Sequence, residues 1–130
     1  MSKPPKIEFE RFSFEESRYK RGDYVWYATT LMRAVEEQKL EPFDYPLAAF
    51  DMLSRGFRLS NTDDFLWHVK RMLNADYSHP IILDDYGQVA DGFHRICHAI
   101  IDGKTTIPAY RLKKMPDSDV HEPEENNEAQ

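Results

Sequence analysis

A chain of 130 residues with 41% hydrophobic side chains, including eight Phe, seven Tyr and two Trp, can build one packed core and is not wholly disordered. Its net charge of −6 is lodged at one end: from Met115 onward six acids meet no Lys or Arg, leaving 17 basic and 17 acidic side chains before it. A neutral body lacks the basic footprint of a nucleic-acid binder, and one cysteine with no apolar run near ~18 residues excludes an intrachain disulfide, a Cys-rich zinc module and a membrane span.

The start, Met1-Ser2-Lys3-Pro4-Pro5, has no apolar signal segment, so a soluble, cytoplasmic protein is expected. Residues 1–22 read as an N-terminal extension, with Ile7, Phe9, Phe12 and Phe14 at roughly alternating spacing. From Asp23, a candidate N-cap after Gly22, to about residue 40 the spacing of Ala28, Leu31, Met32 and Val35 predicts a helix, which Pro42 ends. Phe43–Met52 reads as a short strand, with Pro46 pointing to a sheet edge, and Ser54-Arg55-Gly56 as loop.

Asn61 or Thr62 caps a second helix, with Asp63 and Asp64 at the positive end of its dipole and a stripe of Phe65, Val69 and Met72. Pro80–Leu83 forms a strand, Asp84-Asp85-Tyr86-Gly87 a turn and Gln88–Ala90 the returning strand. Asp91-Gly92 leads into a third helix with core residues Ile96, Ala99 and Ile100, closed by Gly103 as C′ residue. Thr105–Leu112 is the closing strand, and residues 115–130 read as a disordered acidic tail. The expected fold class is α+β, with one domain over residues 23–114.

The chemistry concentrates in Asp91-Gly92-Phe93-His94-Arg95. A helix start presents unpaired N–H groups and partial positive charge, so it holds anions; glycine permits close backbone approach, and His94 and Arg95 add donors for phosphate oxygens. The plain structural reading pairs Arg95 with Asp84, Asp85 or Asp91 and lets His94 cover the helix end. Asp91, and after it Asp84, are candidate Mg²⁺ contacts beside a bound phosphate, while Asp85 is more at home in the turn. His94 and His98, four apart, with Cys97 and Asp91 nearby and His79 or His68 as a third ligand, make a weaker metal reading, because structural zinc takes four protein ligands. Trp26 and Trp67 read as packing residues. Tyr110 and Arg111 fall on opposite faces of their strand.

The run from Pro80-Ile-Ile-Leu-Asp-Asp-Tyr-Gly through Asp91-Gly-Phe-His-Arg95 to Gly103 and Ile107-Pro-Ala-Tyr-Arg-Leu112 resembles the ParB/sulfiredoxin superfamily. The likeness covers roughly residues 42–114 and is strongest over 79–112. It implies a small mixed sheet with packed helices, here with an extra N-terminal helix, and phosphate binding at Gly92, Phe93, His94 and Arg95. It further implies a nucleotide such as ATP, CTP or ADP with Mg²⁺. Known activities of that superfamily include CTP hydrolysis, sulfinic acid reduction, serine phosphorylation and nuclease action.

The departures narrow this. Phe93 stands where sulfiredoxins hold their reactive cysteine, so sulfiredoxin-type reduction is not expected; Cys97 lies one turn on, between Ile96 and Ile100, as a structural thiol. A helix-turn-helix domain is not among these residues, so nucleic acid is not an expected partner of this chain alone. The expectation is a ParB-like protein that binds a nucleotide or another phosphate-bearing ligand at Gly92–Arg95, with NTP hydrolysis or phosphoryl transfer open and Asp91 as candidate catalytic carboxylate. The alternative is a non-catalytic interaction module with a protein partner or as a homodimer. A nuclease comes third.

Overall fold

A computed structural model describes residues 3–7, 17–53 and 59–123. Phe9, Phe12 and Phe14, the Ser54-Arg55-Gly56 loop and the end of the acidic tail lie outside the described residues.

The first departure from expectation comes at once. Residues 18–27 form a hairpin of β1 (Arg18–Arg21) and β2 (Tyr24–Tyr27), and the helix α1 runs only over Ala28–Glu37. Arg21 and Tyr24 are partners across a two-residue turn whose first residue, Gly22, has φ +61°. Glycine suits that position, and Tyr-Val-Trp-Tyr is strand chemistry. Asp23 therefore belongs to the turn and caps no helix. Leu31, Ala34 and Val35 are buried on α1, whereas Met32 is exposed.

β3 (Phe43–Pro46) pairs with β6 (Thr106–Arg111) and occupies the sheet edge that Pro46 requires. A 3-10 turn over Leu47–Ala49 follows. α2 (Thr62–Asn74) is capped as expected, the Asn61 side chain accepting from the Asp64 N–H. β4 (Ile81–Leu83), β5 (Val89–Asp91) and α3 (Phe93–Ile101) fall where the sequence puts them. α3 closes with paired bonds from Gly103 N–H to the Ile100 carbonyl and from Lys104 N–H to the Ala99 carbonyl, with Gly103 at φ +77°.

The molecule is a mixed α+β protein. Its larger sheet has the order β3-β6-β4-β5, with β4 and β6 parallel and the other pairs antiparallel. Alternation along β4 sends Ile81 and Leu83 to one face, against Ile96 and Ala99 of α3, and Ile82 to the other, against Trp26, Leu31 and Leu112. With both faces covered, all three β4 side chains are buried.

The second departure is at the C-terminus. β7 (Val120–His121) adds a third strand beside β2, giving the sheet β1-β2-β7. Trp26 Nε1–H donates to the Pro116 carbonyl at 2.7 Å, and the Asp119 carboxylate accepts from Tyr27 N–H and Thr30 Oγ1–H at the start of α1. Residues 115–123 are thus anchored to the body, which corrects the expectation of a disordered tail beginning at Met115. Among the described residues no helix is long and apolar enough to cross a membrane.

Candidate functional site

Gly92 is the N-cap of α3, at φ +115°, and no side chain caps the helix. A Cβ there would stand 2.4 Å from Ile81 Cγ2, so the close approach that demands glycine is the one to β4. That differs from the expected approach to a ligand.

Phe93 packs edge-on against Phe50, with ring centroids 5.8 Å apart, and lies against the core on the α3 side of the sheet. The Arg95 guanidinium turns back over β4: its Nη1–H donates to the Pro80 carbonyl at 2.9 Å and lies 4.0 Å from Asp91. Arg95 is therefore tied to the carbonyl just before β4 and lies beside Asp91 at the end of β5, in line with the plain structural reading for Asp91.

His94 forms a pair that the sequence did not advertise. Its Nε2 lies 3.0 Å from Nδ1 of His68 on α2, and the rings are within 17° of parallel with centroids 5.2 Å apart. Those values describe two imidazoles meeting edge to edge in nearly one plane. Trp67 stands edge-on to both rings, and the Arg71 guanidinium covers the Trp67 ring at 4.9 Å. Burial, and then the charges of Arg71 and His68, hold the His94 pKa down to about 4 from 6.5, so the ring is neutral near pH 7. Arg71 is the cation whose field His94 feels most. The helical spacing of Trp67, His68 and Arg71 was the available signal for this cluster, but a single sequence does not show which side of α2 meets α3.

The remaining site residues disperse. Asp84 is fully buried and its oxygens are taken: Tyr19 OH at 2.7 Å, Arg21 Nη1 at 3.1 Å, and the N–H groups of Tyr86 at 2.9 Å and Gln88 at 2.8 Å. Burial alone would raise its pKa, and the donors from Tyr19, Gln88, Arg21 and Tyr86 outweigh that and lower it. A carboxylate so occupied fixes structure and leaves no open position for Mg²⁺. Asp85 pairs with Arg21 at 2.6 Å.

His98 accompanies His94 in joining the two helices: its Nδ1 lies 2.8 Å from the Ala75 carbonyl and its Nε2 3.5 Å from Asp102. The four-residue histidine spacing thus belongs to a helix seam. Cys97 is half-buried, with a thiol pKa raised by burial. No group of three His, Cys, Asp or Glu among the described residues is arranged to hold a metal.

A hollow of about 160 Å³ is lined by Tyr45, Ala49, Phe50, Asp51, Gly87, Gln88 and Val89. It is smaller than the ~300–1,000 Å³ of ordinary small-molecule sites, and none of the residues 91–95 lines it. Compared with known proteins, the chain matches no family model, no curated protein and no solved structure.

Proposed function

We propose that the chain binds a phosphate-bearing ligand, a nucleotide foremost, at the start of α3, in a domain of the ParB/sulfiredoxin type. The observation that carries this reading is a helix start with glycine in the left-handed region, no capping side chain, and two arginines in its neighbourhood, Arg95 at 4.0 Å from Asp91 and Arg71 stacked on the Trp67 ring that stands edge-on to His94. Such a start attracts anions through its N–H groups and its dipole. Within this reading Arg71, which the sequence did not single out, is the principal charge partner. Arg95 is a secondary partner held by Pro80, and Asp91 would meet a phosphate-bound Mg²⁺. The order of strand β4, turn, strand β5, Asp91-Gly92, α3, Gly103 and β6 supports the fold assignment.

Thermal unfolding with ATP, CTP, ADP and GTP, each with and without Mg²⁺, tests it. A ligand at a hundredfold excess over Kd adds about 2.7 kcal/mol of stability, a shift of several degrees for a chain of this size. Arg71→Ala, on an exposed position of α2, is expected to remove the shift while lowering the stability of the unliganded protein by no more than about 1 kcal/mol, the worth of its contact with Trp67. Absence of a shift with every nucleotide and with inorganic phosphate would overturn the ligand reading. A second reading, an interaction module without catalysis, is favoured by one feature only, the absence of any buried residue on α2.

A further inference from the structure

Helix α2 is attached differently from the other two helices. None of its 13 residues is buried, whereas α1 and α3 each send residues into the core. Two polar ties join it to α3, and each uses a histidine. In mid-helix His68 Nδ1 meets His94 Nε2 at 3.0 Å, and at the C-cap the Ala75 carbonyl meets His98 Nδ1 at 2.8 Å. A helix of this length is marginal in water without a surface to pack on, so a turn of α2 that undocks also melts.

Protons act on the two ties in opposite directions. His98 Nδ1 faces a carbonyl and must carry the hydrogen, which leaves Nε2 as a lone pair 3.5 Å from the Asp102 carboxylate. Protonation turns that lone pair into a donor and strengthens this end. Asp102 also accepts from Tyr77 OH at 2.8 Å, and the Tyr77 ring stands edge-on to His98. The His68–His94 tie has room for one proton between its nitrogens. A first proton taken up by His68 keeps the bond, its Nδ1–H donating to His94 Nε2; a second, on His94, sets two N–H groups against each other. From α2, His94 is faced by His68 and by the Trp67 ring that Arg71 covers, and on α3 its neighbour Arg95 is turned to Pro80 and Asp91. The carboxylates of α2, Asp63 and Asp64, stand in its first turn, where Asp64 accepts from the Ser60 N–H. Among the described residues, the charges that act on His94 are those of Arg71 and His68, both cationic, so an imidazolium there gains no counter-ion.

We propose that α2 is an acid-released element: a second proton in the His68–His94 pair undocks its first turns from α3, while the His98–Asp102 contact holds its C-terminal end as the hinge. The sign follows from linkage. The His94 pKa is about 4 when docked and 6.5 when free, so the undocked form takes up the proton first; undocking grows as the pH falls through that window and levels off below it. Trp67 and Arg71 leave His94 with the helix. This inference stands independently of the ligand reading.

Hydrogen exchange followed by NMR on the full chain at pH 7.5, 6 and 5, corrected for the intrinsic rates, reads it. The amides of residues 66–70 are expected to open about tenfold more often at pH 5 than at pH 7.5, a figure that allows for the partial exposure of the His94 ring. Their opening should depend weakly on urea, unlike that of β4, which marks a local event. Residues 71–74, next to the hinge, should respond less, and Asp102→Asn should bring them level with the rest. His94→Gln, which keeps a polar side chain and takes up no proton, should remove the rise while β4 stays protected. An α2 that exchanges in step with β4 at the same urea dependence, or that ignores pH, would overturn the proposal. So would a rise that survives His94→Gln, which would place the response in Asp63 and Asp64, and an Asp102→Asn variant that exchanges like the wild type would overturn the hinge.

Discussion

At position 92 a methyl group would stand 2.4 Å from Ile81 Cγ2 and 2.9 Å from Ile81 Cβ, on a backbone at φ +115°. Two penalties coincide there: a conformation that L side chains rarely adopt, and overlap with Ile81, fully buried in the core on the α3 side of the sheet. β4 has little room to retreat, because its neighbours β5 and β6 hold it from either side. Gly92→Ala is therefore expected to cost about 2–4 kcal/mol, read as a lowered urea midpoint with unchanged slope. A cost below about 1 kcal/mol would mean that β4 yields. The same argument reassigns the glycine. The sequence suggested that its freedom serves a ligand, whereas its first obligation is the packing of the α3 start on β4.

At the scale of elements, α2 is held to α3 by imidazoles. Between His68 Nδ1 and His94 Nε2 there is room for one proton only, so the contact needs at least one neutral ring. His94 is held neutral by burial and by the Arg71 and His68 charges, its pKa falling from 6.5 to about 4. Above the unfolded value both native and unfolded states leave the ring unprotonated, and nothing is gained or lost. As the pH falls from 6.5 toward 4, the unfolded chain takes up the proton and the native protein does not, so stability declines across that window and levels off below it. Allowing for the partial exposure of the ring, the decline attributable to His94 is about 2 kcal/mol. Denaturation curves at pH 7.5, 5.5 and 4.5 should show it, and His94→Gln should flatten it.

What the sequence made legible at this scale follows the range of each interaction. α2, β4, β5, α3 and β6 carry local signals: the Asn61 cap, the glycines at 87, 92 and 103, and the alternation of Ile81 to Leu83. The β1–β2 hairpin was missed because Tyr24 to Tyr27 runs straight into the Ala28–Val35 stripe, and a helical period extends backward through any apolar residue. β7 was missed because a two-residue strand has no period, and its anchors lie about 90 residues away at Trp26, Tyr27 and Thr30.

Across the whole molecule, one carboxylate joins two sheets. Asp84, at the end of β4, accepts from Tyr19 and Arg21 of β1 as well as from the N–H groups of its own turn. The residue type and the turn were legible at position 84. Its partners, 65 and 63 residues away, were not, and they convert a candidate metal contact into a structural joint. Asp84→Ala leaves a buried hydroxyl, part of a guanidinium and two amides without their acceptor, which is expected to cost about 3–5 kcal/mol. Asp84→Asn keeps the shape and one carbonyl acceptor, so it should cost less, and it should also remove the acid sensitivity tied to this group. That sensitivity has a defined sign: the native pKa lies below 3.8, so the contribution is complete above that value and fades as the pH falls through the lower native one. Hydrogen exchange separates a local from a global role. If Asp84 only steadied the hairpin, the alanine variant would lose protection in β1 and β2 alone. Because Ile82 and Ala90 of the larger sheet share a core with Tyr19, Trp26 and Leu31, protection in β4 and β5 should fall together with it, in one cooperative unit.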